Sequence, residues 1–314
     1  MAKEWVKIIG SVALGAALLA GSMAQGVPDA GRPSESGASP ATGQATGASE
    51  AGTAEAPADA AENAPVRVLV ADDLSNLALT APDIPVYDRY TIAERRAAGL
   101  PTALPEIAPY REGKVAYLTF DDGPDVQNTS AVLDILRDAG VHATFYVTGR
   151  QAQAHPEVLQ RIYDEGHAIG NHSYDHRYEK LYPDVNGFLA EMAKTDEIIK
   201  GIIGVRPLIL RAPGGRILHF TAAYVPALQE SGYVEHDWNV SSADAAPNHP
   251  IAQDFIDNIA GQTEGEATAH TAIILMHSSE GHEETVKALP EIIRLLQAKG
   301  YTFGVITPMT PQPW

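Results

Sequence analysis

Short apolar runs alternate with amphipathic stretches along the last two-thirds of the chain. Residues 115–120, 143–147, 168–171, 208–211, 233–239, 272–277 and 301–306 are brief, apolar and rich in β-branched or aromatic side chains, so they predict buried strands. The intervening segments 129–139, 156–165, 185–203, 222–231, 251–262 and 283–299 carry helical periodicity. Gly140 after Ala139 and Gly300 after Lys299 mark two helix ends. Seven strands with six crossovers predict a parallel α/β architecture. Upstream, within 65–111, VRVLVADD predicts a strand and TIAERRAAGL a short helix between proline-containing loops, an N-terminal extension to the domain at 112–314.

The first 64 residues follow a different pattern. Lys3 and Lys7 precede an uncharged run of 17 residues, 8–24, which reads as an export signal or an N-terminal membrane anchor. It is short of the ~20 residues of a comfortable span. Ser22 stands where a lipoprotein box would place its lipidated Cys. Residues 25–64 contain no Leu, Ile, Phe, Tyr or Trp, so they predict a disordered tether that buries too little to offset its ordering entropy.

Charge and composition narrow the chemistry. The net charge of −18 over 314 residues argues against a nucleic-acid partner, whose phosphates demand a basic face. Asp29, Glu35, Glu50, Glu55, Asp59 and Glu62 against Arg32 give the tether −5, and the first 24 residues carry +1. The remaining 250 residues therefore hold −14. The chain has no Cys, which excludes disulfides, thiolate metal sites and cysteine nucleophiles, and leaves any metal to His, Asp or Glu.

Polar residues gather where the predicted strands end, the catalytic face of an α/β barrel. Asp121 and Asp122 follow the first strand in YLTFDDGPD. Turn and capping chemistry would account for them alone. Functionally, such a pair divides labour, one carboxylate ligating a cation and the other serving as general base. His172 and His176 in NHSYDH have a spacing that, on a helical turn, places both imidazoles on one face about 6 Å apart. Asp122 completes His₂Asp, the open set of a catalytic zinc. In RAPGGR, a Pro-Gly loop with a surface Arg would account for Arg211 and the Pro213-Gly214-Gly215 turn; functionally, Arg211 would pair with a catalytic carboxylate and the glycine backbone would offer an N–H to an oxyanion. His277, at the mouth of IILMHSS, is a candidate general acid.

TFDDGP, HSYDH, RAPGG and LMH, in this order, resemble the NodB-homology domain of polysaccharide deacetylases, carbohydrate esterase family 4. The resemblance runs from about Lys114 to Ile306 and implies a distorted, incomplete (β/α) barrel with Zn²⁺-dependent removal of acetyl groups, Co²⁺ or another divalent ion being an alternative. It implies Asp121 as general base, Asp122, His172 and His176 as metal ligands, and Arg211 as the residue orienting Asp121. It also implies Gly214 as oxyanion donor beside Pro213, and His277 as general acid. The stretch Trp238 to Ala245 departs from the WxVDSxDW of many relatives: Asp244 is present to orient His277, but the final Trp is Ala245. With RAPGG in place of RPPYG, the chain is similar to a branch of cell-wall deacetylases, and the loss of aromatic surface leaves room for a bulkier, lactyl-substituted sugar. The expectation is a monomeric, extracytoplasmic N-deacetylase of peptidoglycan, acting on N-acetylglucosamine, N-acetylmuramic acid or both, and touching the membrane only through its N-terminal segment. Its alternatives are a chitooligosaccharide deacetylase, an acetylxylan esterase and an inactive carbohydrate-binding protein.

Overall fold

The computed structural model of the chain describes residues 67–77, 84–110 and 113–313. The expected export segment and tether lie outside the described residues. Among the described residues no helix is long and apolar enough to cross a membrane.

The strands in chain order are β1 (Leu69–Ala71), β2 (Val86–Asp88), β3 (Val115–Asp121), β4 (Thr144–Val147), β5 (Ala168–Asn171), β6 (Arg206–Pro207), β7 (Ile209–Leu210), β8 (Val234–Glu235), β9 (Val240–Ser241), β10 (Thr271–His277) and β11 (Thr302–Gly304). Eight of them form one parallel sheet in the order β8-β7-β5-β4-β3-β10-β9, with β11 also on β3. β3 is central. β10 follows one of its edges throughout, while the other edge is shared by β11 low on the strand and β4 at its C-terminal end.

The predicted fifth strand, 233–239, is the main departure. It breaks into β8, which pairs with β7 at one end of the sheet, and β9, which begins one residue later than the predicted run ends and pairs with β10 at the other end. The backbone changes partner between them, His236 N–H donating to Leu210 O (3.0 Å) and Asn239 N–H to Ile273 O (3.2 Å), and the Asn239 side chain adds a clamp on β10 by donating to Thr271 O (2.8 Å) and accepting from Ile273 N–H (2.8 Å). The barrel is thus incomplete, its sheet edges joined by this covalent segment.

Strand alternation sorts the two faces. Ala116, Leu118 and Phe120 of β3 join Phe145, Ile169, Ile274 and Met276 in the large core packed against the helices, including Val132, Leu133 and Leu136 of Asn128–Ala139 and Leu289, Ile292 and Leu296 of Glu283–Ala298. Val115, Tyr117, Tyr146, Ala168, Ile209 and Ile273 form a smaller core with Val305 and Ile306 on the other face. Counting by twos along this inner face reaches Asp121 from Val115, His172 from Ala168, Arg211 from Ile209 and His277 from Ile273. The same period that buries the core delivers four candidate residues to one mouth.

The described part of the extension packs into this framework. β1 and β2 pair in parallel, and β2 pairs antiparallel with β6. The helix Ile92–Ala98 is opened by a Thr91–Glu94 capping box and closed by left-handed Gly99. Asp88, fully buried, accepts from Arg95 (2.6 and 2.7 Å) and from Arg206 (3.0 Å). Arg206 also reaches Asp196 (3.3 Å), which accepts from Tyr233 (2.5 Å) and Asn171 (2.7 Å). Asn171 immediately precedes His172, so one buried polar chain runs from the extension to the rim of the candidate site.

Candidate active site

Asp121 closes β3 on the inner face and is 3% exposed. Its Oδ1 accepts from Arg211 Nη1 at 2.8 Å. Arg211 also donates to Thr119 Oγ1 (2.7 Å), His236 O (3.0 Å) and Asp237 O (3.3 Å), and its guanidinium lies 4.3 Å from the Tyr146 ring centroid. A guanidinium bonded through all three of its nitrogens has one place to be, so the Asp121 carboxylate is oriented. Burial raises the Asp121 pKa above its ordinary value, and the charges of Arg211, His277 and His176 only partly offset it.

Asp122 would alternate outward if β3 continued. Instead it takes a left-handed backbone, φ 72°, before the Gly123-Pro124 turn, which returns its carboxylate to the mouth. The capping role open to this acidic cluster falls to Asp125, whose Oδ1 accepts from Gln127 N–H (2.9 Å) and Asn128 N–H (2.6 Å). Asp122 Oδ1 lies 3.5 Å from His172 Nε2 and 3.7 Å from His176 Nε2.

The helical turn expected for His172 and His176 is not formed. The segment is a loop with left-handed Ser173 (φ 68°) and His176 (φ 57°), held by Asn171 Oδ1 on Ser173 N–H (3.0 Å) and Ser173 Oγ on His176 N–H (3.1 Å). The rings still converge, with centroids 5.2 Å apart. Local side-chain bonds to the backbone displace the helix here.

These three residues fit a metal ion. Asp122 Oδ1 is buried with no hydrogen-bond partner in the described structure, yet it faces two imidazole nitrogens. The three ligand atoms lie within 4.8 Å of one another, and tetrahedral bonds of about 2.0–2.1 Å require separations of roughly 3.3 Å. His172 Nδ1 lies 2.9 Å from Arg211 O, a bond that leaves Nε2 as the lone-pair nitrogen. Burial pulls the His172 pKa down to about 3, so the ring is neutral and able to ligate.

Across the mouth, His277 Nδ1 lies 2.8 Å from Asp244 Oδ1, while Asp244 Oδ2 accepts from His277 N–H (2.7 Å) and Thr285 Oγ1 (2.8 Å). Burial opposes protonation of His277, but the Asp244 hydrogen bond and charge, with Asp121 and Asp122, outweigh it and push the imidazole up to about 9. Its Nε2 lies 4.0 Å from Asp122 Oδ2.

The RAPGG loop completes the site. Gly214 and Gly215 are left-handed (φ 75° and 81°), the Gly215 N–H bonds Ala212 O (2.8 Å), and the Pro213 carbonyl accepts from Tyr182 Oη (2.6 Å). All nine residues expected from the sequence therefore surround one mouth. Sequence reasoning missed Tyr178, Tyr182 and His219, whose rings pack beside the loop, and Thr285 behind Asp244. Tyr178 lies two positions beyond His176, the only signal that pointed to it.

A family model described as polysaccharide deacetylase matches residues 109–235. A Bacillus cereus peptidoglycan-N-acetylglucosamine deacetylase is 35% identical over 194 residues, covering 62% of this chain and 69% of its own length. This chain belongs to the polysaccharide deacetylase family. A putative polysaccharide deacetylase of Bacillus subtilis is 32% identical, covering 62% of this chain and 67% of that protein. Among solved structures, a polysaccharide deacetylase from Bacillus cereus superposes with a TM-score of 0.57 at 34% identity, over 63% of this chain and 95% of that one. A Streptococcus mutans CE4 esterase gives 0.59 at 32%, over 63% and 87%. These matches agree with the NodB-type incomplete barrel expected from the sequence.

Proposed function

We propose that this polysaccharide deacetylase is an extracytoplasmic, metal-dependent N-deacetylase acting on the N-acetylglucosamine of peptidoglycan. The observation that carries the reading is the convergence of an Arg-anchored carboxylate, a His₂Asp cluster and an Asp-backed imidazole within one mouth. The named activities of similar proteins support the choice of polysaccharide, and the apolar leader with its polar tether supports export.

In this reading Asp122, His172 and His176 hold a divalent cation, with Zn²⁺ suited to the nitrogen-rich set. When bound, such an ion supplies Lewis-acid polarisation of the acetyl oxygen and lowers the pKa of a water. Asp121, oriented by Arg211, accepts a proton from the water that attacks the acetamide carbon. The Gly214 N–H, which has no partner among the described residues, faces the oxygen on which charge develops. His277 then protonates the departing nitrogen, because an amide anion is a very poor leaving group. Acetate and the free amine result.

Mass spectrometry of muropeptides tests the assignment. Incubation of isolated wall with the protein is expected to remove one acetyl from N-acetylglucosamine, and prior chelation to abolish the change. Loss from N-acetylmuramic acid alone would overturn the choice of sugar, and loss from neither the choice of polysaccharide.

A further inference from the structure

Gly214 brings no side chain to the mouth, yet the space above it is filled. A Cβ built on Gly214 would lie 2.3 Å from Tyr178 Oη and 3.2 Å from His219 Nε2. The phenol oxygen is therefore within about 3.8 Å of the Gly214 Cα, one carbon–carbon bond further. A side chain at 214 and Tyr178 in this position exclude one another. The Tyr178 ring centroid stands 5.5 Å from His176 and is wedged edge-on against His219 (5.1 Å) and Tyr182 (5.7 Å). Tyr182 spends its hydroxyl on the Pro213 carbonyl, whereas the Tyr178 hydroxyl has no hydrogen-bond partner among the described residues. The residue is 44% exposed, on the rim. Two idle donors, the Gly214 N–H and the Tyr178 O–H, thus stand side by side next to the His₂Asp cluster.

We propose that Tyr178 is a substrate-binding catalytic residue whose phenol donates a hydrogen bond to the acetyl oxygen alongside the Gly214 N–H. The inference rests on the deacetylase reading of the site. The positioned hydroxyl strengthens its bond as the carbonyl oxygen gains charge, which favours the transition state over the ground state. Tyr178 comes from the loop that carries His176, so the oxyanion site and the metal cluster share one segment.

The test compares Tyr178→Phe with the wild type, both loaded with Zn²⁺, in acetate release from N-acetylglucosamine oligomers and isolated wall. Loss of one oxyanion donor is expected to lower kcat about 100-fold with KM within about twofold. Zn²⁺ stoichiometry should be unchanged. Acetate itself is the second probe: calorimetric titration should show about tenfold weaker binding to the variant, since a bond to a charged oxygen is lost. Wild-type kcat and acetate affinity in Tyr178→Phe would overturn the proposal, as would a Tyr178→Ala variant that raises KM while the Phe variant is normal, the mark of a stacking surface. If the wild type releases no acetate from any glycan, the deacetylase reading fails, and the acetate titration alone then decides whether Tyr178 donates there.

Discussion

Replacing Asp244 by Asn removes the charge that sets His277. Asp244 contacts the ring at 2.8 Å through Oδ1, and its Oδ2 accepts from the His277 N–H and Thr285, so Asn preserves volume while removing the charge and exchanging one acceptor for an N–H donor. The rise of the imidazole from 6.5 to about 9 corresponds to roughly 3 kcal/mol in favour of the protonated ring. Without Asp244, burial acts with less opposition and the pKa returns to about 6.5 or below. The general acid must be protonated, so activity is present below its pKa and is lost as pH rises through it. The wild type should keep kcat/KM into the alkaline range, a cation on Asp122 bringing the limb somewhat below 9 by cancelling that carboxylate's share. In Asp244→Asn the limb should move down by about two pH units. At pH 7.5, an imidazole of pKa about 6.5 is roughly one-tenth protonated, a tenfold loss from this cause alone. The assay is kcat/KM for acetate release from pH 5.5 to 10, which reports the free enzyme. A variant that loses activity equally at every pH, with its alkaline limb in place, would refute the reasoning.

Asp121→Asn should lower kcat/KM by about 10²–10⁴-fold, the range for a general base, while calorimetric Zn²⁺ binding persists on Asp122, His172 and His176. The acidic limb of the wild-type profile should lie above the ordinary Asp value of 3.8, because burial raises the Asp121 pKa and the base works only above it; a limb at or below 3.8 would assign it to another group. Asp88→Asn should cost about 3–5 kcal/mol in urea unfolding, since it leaves the buried guanidiniums of Arg95 and Arg206 undercompensated. A change below about 1 kcal/mol would show that the extension contributes little to the fold.

Residues that act through local pattern were legible before any coordinates. The strand 168–171 and the helix 185–203 appear with the boundaries their apolar spacing predicts, and the inward phase of Asp121, His172, Arg211 and His277 follows from period-two alternation along strands. Short paired segments were not legible. β2 and β6 have three and two residues: β2 is a strand because it lies between β1 and β6, and β6 because it borders β2, and the break between β8 and β9 depends on which sheet edge each half meets. Tyr178 escaped notice because its place over Gly214 depends on two loops far apart in sequence.

By itself, then, the sequence determined the parallel architecture, the identity of the polar groups at the strand ends, and a metal set restricted to oxygen and nitrogen by the absence of Cys. Only the tertiary structure decided how those groups meet. A left-handed Asp122 turns back into the mouth, His172 and His176 converge on a loop instead of a helix, and Asp244 crosses to His277. Periodicity repeats along the chain and can be read there. Backbone handedness at single residues and contacts between distant loops are settled by packing, where each group answers to partners that sequence order does not reveal.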